Sequence, residues 1–260
     1  MKLYVFKLDK RVRIAFPIFI SLLIIAAILY SPDKDITAFE VKREIPIYSV
    51  DHIEKKASIT FDCAWGNEDI PEILNTLKAQ NVKATFFIVG TWAEKYPDSV
   101  RRISEDGHDI ANHSYSHSRM AGIDIQKIKN DITKCTKVLE EITGKKCDLF
   151  RPSYGEYDNN VVRAARELDL FTIQWDVDSL DWKPGISQAE IVNRINGKVK
   201  PGSIILLHND TANTSKVLPT IISSLKEKGY ELVSVSELIM RENYWIDFDG
   251  RQKKHGEGET

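Results

Sequence analysis

Apolar residues fall in short unbroken runs separated by stretches of helical spacing. KASITFD, KATFFIVG, DIANH, DLFRPSY, FTIQWDV, SIILLHN and YELVSV read as strands. Within them TFFIV and IILL are continuously apolar, as strands covered on both faces are. Between them PEILNTLKAQN, TWAEKYPDSVRRISEDG, DIQKIKNDITKCTKVLEEITG, NNVVRAARELD, SQAEIVNRING and SKVLPTIISSLKEKG read as helices. Such alternation predicts an α/β fold of parallel strands joined by outer helices. Gly107, Gly144 and Gly229 each follow a helical stretch, where a left-handed cap belongs. No glycine-rich loop follows the first strand, so a distorted (β/α) barrel of about seven strands fits better than an open nucleotide-binding sheet.

Ahead of this alternation lies IAFPIFISLLIIAAILY, residues 14–30, a run of 17 residues without a charge. Roughly 17 to 25 apolar residues span a bilayer. No small-x-small cleavage site ends the run, so it reads as an uncleaved transmembrane anchor rather than a signal peptide. Lys2, Lys7, Lys10, Arg11 and Arg13 precede it, which places residues 1–13 in the cytoplasm and the rest outside a single-pass cell membrane anchor, or secreted if the segment is cleaved. Residues 31–45 read as a tether, 46–240 as the main domain and 241–260 as a polar tail whose last ten residues are disordered.

Composition narrows this picture. A chain of 260 residues with 42% hydrophobic residues can bury one substantial core. The whole chain carries −2 and its first thirty residues +4, so the remainder carries −6. That argues against nucleic acid as a partner. Three cysteines leave at least one unpaired within the chain. Cys135 shares a helical face with Ile128, Ile132 and Leu139 and reads as core, with a Cys135–Cys147 bridge the other possibility. Oligomeric state is not encoded in any pattern here.

Polar residues gather at the predicted strand ends, where parallel α/β barrels place their chemistry. Asp62 ends ITFD, His113 ends DIANH with His117 four residues on, Arg151 ends DLFR, and His208 ends IILLH. Two histidines four apart suit a first-row metal if the segment turns. Taken alone, the pair reads equally as structural histidines, Asp62 as a helix cap or ion-pair partner, and His208 as a core histidine.

Five motifs in order, TFDCAWGNED, HSYSH, RPSYGEYD, DSLDW and LLHND, resemble the polysaccharide deacetylases, the carbohydrate esterase family 4 with the NodB homology domain. The resemblance covers residues 56–238. The WGNED continuation, the FFIVGTWAEKYP segment and the N-terminal anchor look most like its sporulation-associated, PdaB-like branch. It implies a seven-stranded NodB-type barrel and hydrolysis of the N-acetyl group of a cell-wall glycan such as peptidoglycan. By that resemblance Asp62 is the catalytic base, Arg151 its partner, and His208 the acid tuned by Asp181. Tyr154 supplies a backbone N–H for the oxyanion, Trp182 and Leu206 wall the acetyl group, and His113 and His117 bind a divalent metal, zinc or another first-row ion such as cobalt.

One position departs from the family. Where most members read T-F-D-D, and the second aspartate is a metal ligand, this chain has Cys63. Cys63 as a thiolate ligand, Glu68 or Asp69 as a substitute carboxylate, and a weakly held or absent metal all fit the sequence. So does a buried Cys63 packing under the loop. The last two make a glycan-binding protein without turnover the alternative to an enzyme.

Overall fold

The computed structural model describes residues 10–29, 43–52 and 54–256. The chain divides into two units, Met1–Lys42 and Arg43–Thr260.

The first unit contains α1 (Lys10–Leu29), which includes Pro17. Its described side chains, residues 16–26, are apolar apart from Ser21, and Phe16, Phe19 and Leu22 are exposed. They cover about 16 Å of helix at 1.5 Å per residue, against a hydrocarbon core of about 30 Å. No helix among the described residues is long and apolar enough to cross a membrane, so the anchor expected at 14–30 is not borne out by them. Residues 1–9, and 30–42 of the expected anchor end and tether, lie outside the described residues.

The second unit is a curled sheet with helices packed on its outer face. In chain order it runs β1 (Ser49–Val50), β2 (Lys56–Cys63), α2 (Ile70–Ala79), β3 (Thr85–Ile88), α3 (Gly90–Lys95), α4 (Pro97–Glu105), β4 (Asp109–Asn112) and α5 (Ile125–Thr143). Next come β5 (Leu149–Phe150), a single 3-10 turn (Ser153–Gly155), α6 (Asn159–Glu167), β6 (Phe171–Thr172), β7 (Val177–Asp178), α7 (Gln188–Lys198) and β8 (Ser203–His208). The unit ends with α8 (Thr214–Glu227), β9 (Glu231–Leu232), α9 (Val235–Leu238), β10 (Tyr244–Ile246) and β11 (Arg251–Lys254).

The sheet order is β10-β11-β1-β8-β2-β3-β4-β5-β6, with β7 also on β8 and β9 on β2. From β8 to β6 every pairing is parallel, whereas β1 runs antiparallel to β8. A single parallel bridge, Ile47 to Ile173, links the chain entering β1 with the chain leaving β6 and curls the sheet. Apolar side chains of β2, β3 and β8 pack beneath α2, α3, α4, α5, α7 and α8 in the largest core cluster.

Several local outcomes follow from named residues. Asp124 caps α5 by accepting from the amides of Gln126 and Lys127, and Gly144 ends it at φ 66°. Ser187 and Glu190 form a reciprocal capping box on α7. TWAEKYPDSVRRISEDG is two helices rather than one, because Pro97 starts α4 and holds Tyr96 outside helical geometry. FTIQWDV is likewise two short strands, since the Gln174 amide turns to the carbonyl of Ile47.

Two expectations need correction. The sheet has 11 strands among the described residues rather than seven. Residues 241–260 are not simply a polar tail, because β10 and β11 form a hairpin whose second strand pairs with β1. Fully buried Gln252 secures it, its side chain accepting from the Met240 amide at 2.8 Å and donating to the Met240 carbonyl at 2.7 Å. A polar residue that closes backbone hydrogen bonds in the core looks like a solvated one in sequence.

His108, 5% exposed, accepts from the Ala84 amide and has its pKa pushed down to about 4 by burial and by nearby Lys83. Unfolding restores a pKa near 6.5, so between those values the unfolded chain binds the extra proton and stability falls as pH drops. Urea unfolding at pH 7.5 and 4.5 should show His108→Gln losing about 2 kcal/mol less than the parent over that interval. Equal losses in both proteins would remove His108 from the acid response.

Candidate active site

The site is built on the alternation of side chains along β2. Successive residues of a strand face opposite sides. Thr60 and Asp62 face Arg151, while Ile59, Phe61 and Cys63 pack with Ile205, Leu207 and Ile70 in the helix-covered core. Register places Asp62 opposite His208 on β8, and Thr60 opposite Leu206. Adjacent strands lie about 4.8 Å apart. Two titratable groups thus end neighbouring strands on the same face.

Arg151 is fully buried. Its Nη1 donates to Asp62 Oδ1 at 2.6 Å and to Thr60 Oγ1 at 3.0 Å, and its Nη2 donates to the Gln174 carbonyl at 3.1 Å. The guanidinium also lies over the Phe87 ring, 3.8 Å from its centroid. Burial opposes the charge of Asp62, but Arg151 and the nearby histidines outweigh it and hold its carboxyl below the ordinary range. Asp62 is therefore an ionised carboxylate at neutral pH.

His113, 2% exposed, uses Nδ1–H to donate to the Arg151 carbonyl at 2.8 Å, given the neutral ring that burial favours. That bond leaves Nε2 as a lone pair facing Asp62 Oδ2 at 3.4 Å. Two acceptors face each other, which suits a cation between them. His117, at φ 54°, lies with its ring 5.2 Å from that of His113, and burial together with His113 pushes its pKa to about 4. Neutral imidazoles are the metal-binding form.

On β8, His208 Nδ1 meets Asp181 Oδ1 at 2.8 Å. Asp181 is 3% exposed, and its Oδ2 accepts from the His208 amide at 2.7 Å and from Thr214 Oγ1 at 2.6 Å. Burial works against protonation of His208, but Asp181, followed by Asp62 and Asp178, outweighs it and raises the pKa. Tyr154, at φ 61°, lies with its ring 4.5 Å from that of His117. Leu206 is buried on β8, and Trp182 is exposed beside Asp181.

The three candidates for a further metal donor lie elsewhere. Cys63 is fully buried, and burial pushes its thiol well above the ordinary range, the reverse of what a thiolate ligand needs. Glu68 is exposed and accepts from the Asn67 amide. Asp69 accepts from the Asp210 amide at 2.9 Å, and burial lifts its pKa to about 6. Among the described residues no three His, Cys, Asp or Glu side chains converge as a metal-holding group. The fit is to a cation on two imidazoles beside Asp62, without the separate carboxylate.

Sequence reading missed Thr60 and Thr214. The inward parity of β2 signals Thr60, whereas nothing local signals Thr214, which reaches Asp181 across 33 residues from the start of α8.

A family model described as polysaccharide deacetylase matches residues 49–173. A peptidoglycan-N-acetylglucosamine deacetylase of Bacillus cereus is 37% identical over 195 residues, covering 74% of this chain and 70% of that protein. The chain belongs to the polysaccharide deacetylase family. A second relative, the peptidoglycan-N-acetylglucosamine deacetylase PgdA of Listeria monocytogenes, is 36% identical over 71% of this chain but only 39% of its own length. Among solved structures, a CE4 family pseudoenzyme from Bacillus anthracis is similar, with 33% identity, a TM-score of 0.72 and coverage of 81% of this chain and 73% of that one. A mutant of that pseudoenzyme described as having restored enzymatic activity is similar at 36% identity, a TM-score of 0.72 and coverage of 74% and 70%.

The His208–Asp181 pair has a direct spectroscopic consequence. In the parent protein the His208 imidazole should titrate above its ordinary value, and in Asp181→Asn, where only the smaller effects of Asp62 and Asp178 still oppose burial, the midpoint should fall. Proton NMR of the ring resonances reads this. An unchanged midpoint would show that Asp181 does not set the charge of His208.

Proposed function

We propose that this chain hydrolyses the N-acetyl group of an N-acetylated cell-wall glycan, peptidoglycan or a related polysaccharide, releasing acetate. The observation that carries the reading is the pairing of Asp62 with His208 on adjacent strands. Arg151 keeps the first ionised, and Asp181 favours the protonated form of the second. A base and an acid of opposite tuning are what amide hydrolysis requires. The names of the relatives supply the glycan.

In this reading Asp62 takes a proton from water through Oδ2, the oxygen that Arg151 leaves open. The hydroxide left from that water attacks the acetamide carbon, the Tyr154 N–H stabilises the oxyanion, and the C–N bond breaks as His208 gives its proton to the departing amine, leaving acetate and a free amino sugar. Donors of this kind contribute about 3 kcal/mol each. A divalent metal such as zinc or cobalt, held by His113 and His117, would supply polarisation of the water and the carbonyl. The reading includes work outside the cytoplasm and, by the resemblance of the WGNED continuation, a role in sporulating cells.

A second reading, a glycan-binding wall protein without turnover, is favoured by Cys63. It occupies the ligand position but faces the core, and the similar structures include a pseudoenzyme.

Acetate release from N-acetylated peptidoglycan by the full-length protein, chelated and then resupplied with zinc or cobalt, separates the two. The enzyme reading expects metal-restored release that falls by at least about a hundredfold in Asp62→Asn. It also expects Cys63→Ala to retain metal affinity within about twofold, since the thiol is packed away from the histidines. No release under any metal would leave the binding protein standing.

A further inference from the structure

Three of the five exposed large hydrophobic side chains described beyond α1, Trp65, Tyr154 and Trp182, lie in loops that follow strands of the site. Single exposed apolar groups are ordinary, but a cluster at a catalytic mouth marks a binding surface. Trp65 is the member to which no role is assigned. It is 54% exposed, and its ring meets that of His117 edge to face, with centroids 5.5 Å apart and planes at 84°. Tyr154 is differently placed, with its ring in contact with both the His117 ring, tilted by 37° at 4.5 Å, and the Arg119 guanidinium at 4.5 Å. An edge-to-face contact occupies at most one face of an indole, so Trp65 keeps a face for a ligand.

The loop that carries Trp65 is fixed by its neighbour. The Gly66 carbonyl accepts from Trp92 Nε1 at 2.9 Å and from Asn209 Nδ2, and the Gly66 amide donates to Asp210 Oδ2 at 2.9 Å. A Cβ at position 66 would fall 2.4 Å from Glu68 Oε2 and 2.8 Å from Asp210 Cγ, so any larger residue would push aside the carboxylate that holds the Gly66 amide. These bonds tie the loop after β2 to the residues that follow His208. An exposed indole held in this way loses little freedom on binding.

We propose that Trp65 forms a subsite for the sugar ring next to the one whose acetamide faces Asp62, its indole stacking on the apolar C–H face of that ring. The site thereby selects a chain over a single sugar. This inference rests on the reading of an N-acetylated glycan as ligand.

Calorimetric titration of the full-length protein with N-acetylglucosamine and with its β-1,4-linked tetramer tests it by binding alone. The parent should bind the tetramer at least about tenfold more tightly than the monomer. Trp65→Ala should lose that preference while holding the monomer, and Trp65→Phe should keep most of it. Near-ultraviolet circular dichroism and Tm check that the alanine variant stays folded. An unchanged tetramer affinity in Trp65→Ala, an equal loss for both sugars, or no tetramer binding by the parent would each overturn the subsite. Trp65-dependent binding without acetate release would uphold the subsite and remove the deacetylase reading. Acetate release with Trp65-independent binding would do the reverse.

Discussion

The two-residue alternation of β2 is the constraint on which the site depends. Because neighbours on a strand face opposite sides, Asp62 enters the site and Cys63 the helix-covered core. A strand that stays regular to its last residue cannot deliver both side chains to one cation. β2 stays regular here, pairing in register with β3 through Cys63 and Ile88. At the position where the family motif has its second aspartate, this chain thus places a sulfur on the core face.

Asp62 in turn depends on Arg151. A fully buried guanidinium is costly unless paired, and here Asp62 and Thr60 take Nη1, the Gln174 carbonyl takes Nη2 and Phe87 covers its plane, while Nε is left without a partner. The Arg151 carbonyl also fixes the tautomer of His113. One residue therefore sets the charge of Asp62 and aims the lone pair of His113. The second half of the site is organised independently by Asp181, which gathers the His208 ring, the His208 amide and Thr214. Strand pairing between β2 and β8 brings the halves together.

Much of this was legible in the sequence because it is local. Apolar runs and helical spacing marked β2, β3, β8 and most helices, and titratable residues at the ends of those runs marked Asp62, His113, Arg151 and His208. What was illegible is non-local. The hairpin at the C-terminus exists because Gln252 finds Met240 and β1, and Thr214 matters because α8 starts beside Asp181. The face taken by Cys63 depends on how far β2 continues its ladder, which the string TFDC does not encode. Trp65 shows the same limit, since its exposure depends on bonds from Gly66 to Trp92, Asn209 and Asp210.

The central claim is that a cation held at this site would meet the imidazoles of His113 and His117 but no sulfur. Titrating the full-length protein with cobalt(II) and recording its absorption tests this without reference to turnover. The account predicts ligand-field bands that depend on His113 and His117, with no thiolate-to-cobalt charge-transfer band in the near ultraviolet. A strong charge-transfer band that disappears in Cys63→Ala would contradict it, placing the sulfur on the metal and Cys63 on the same face as Asp62.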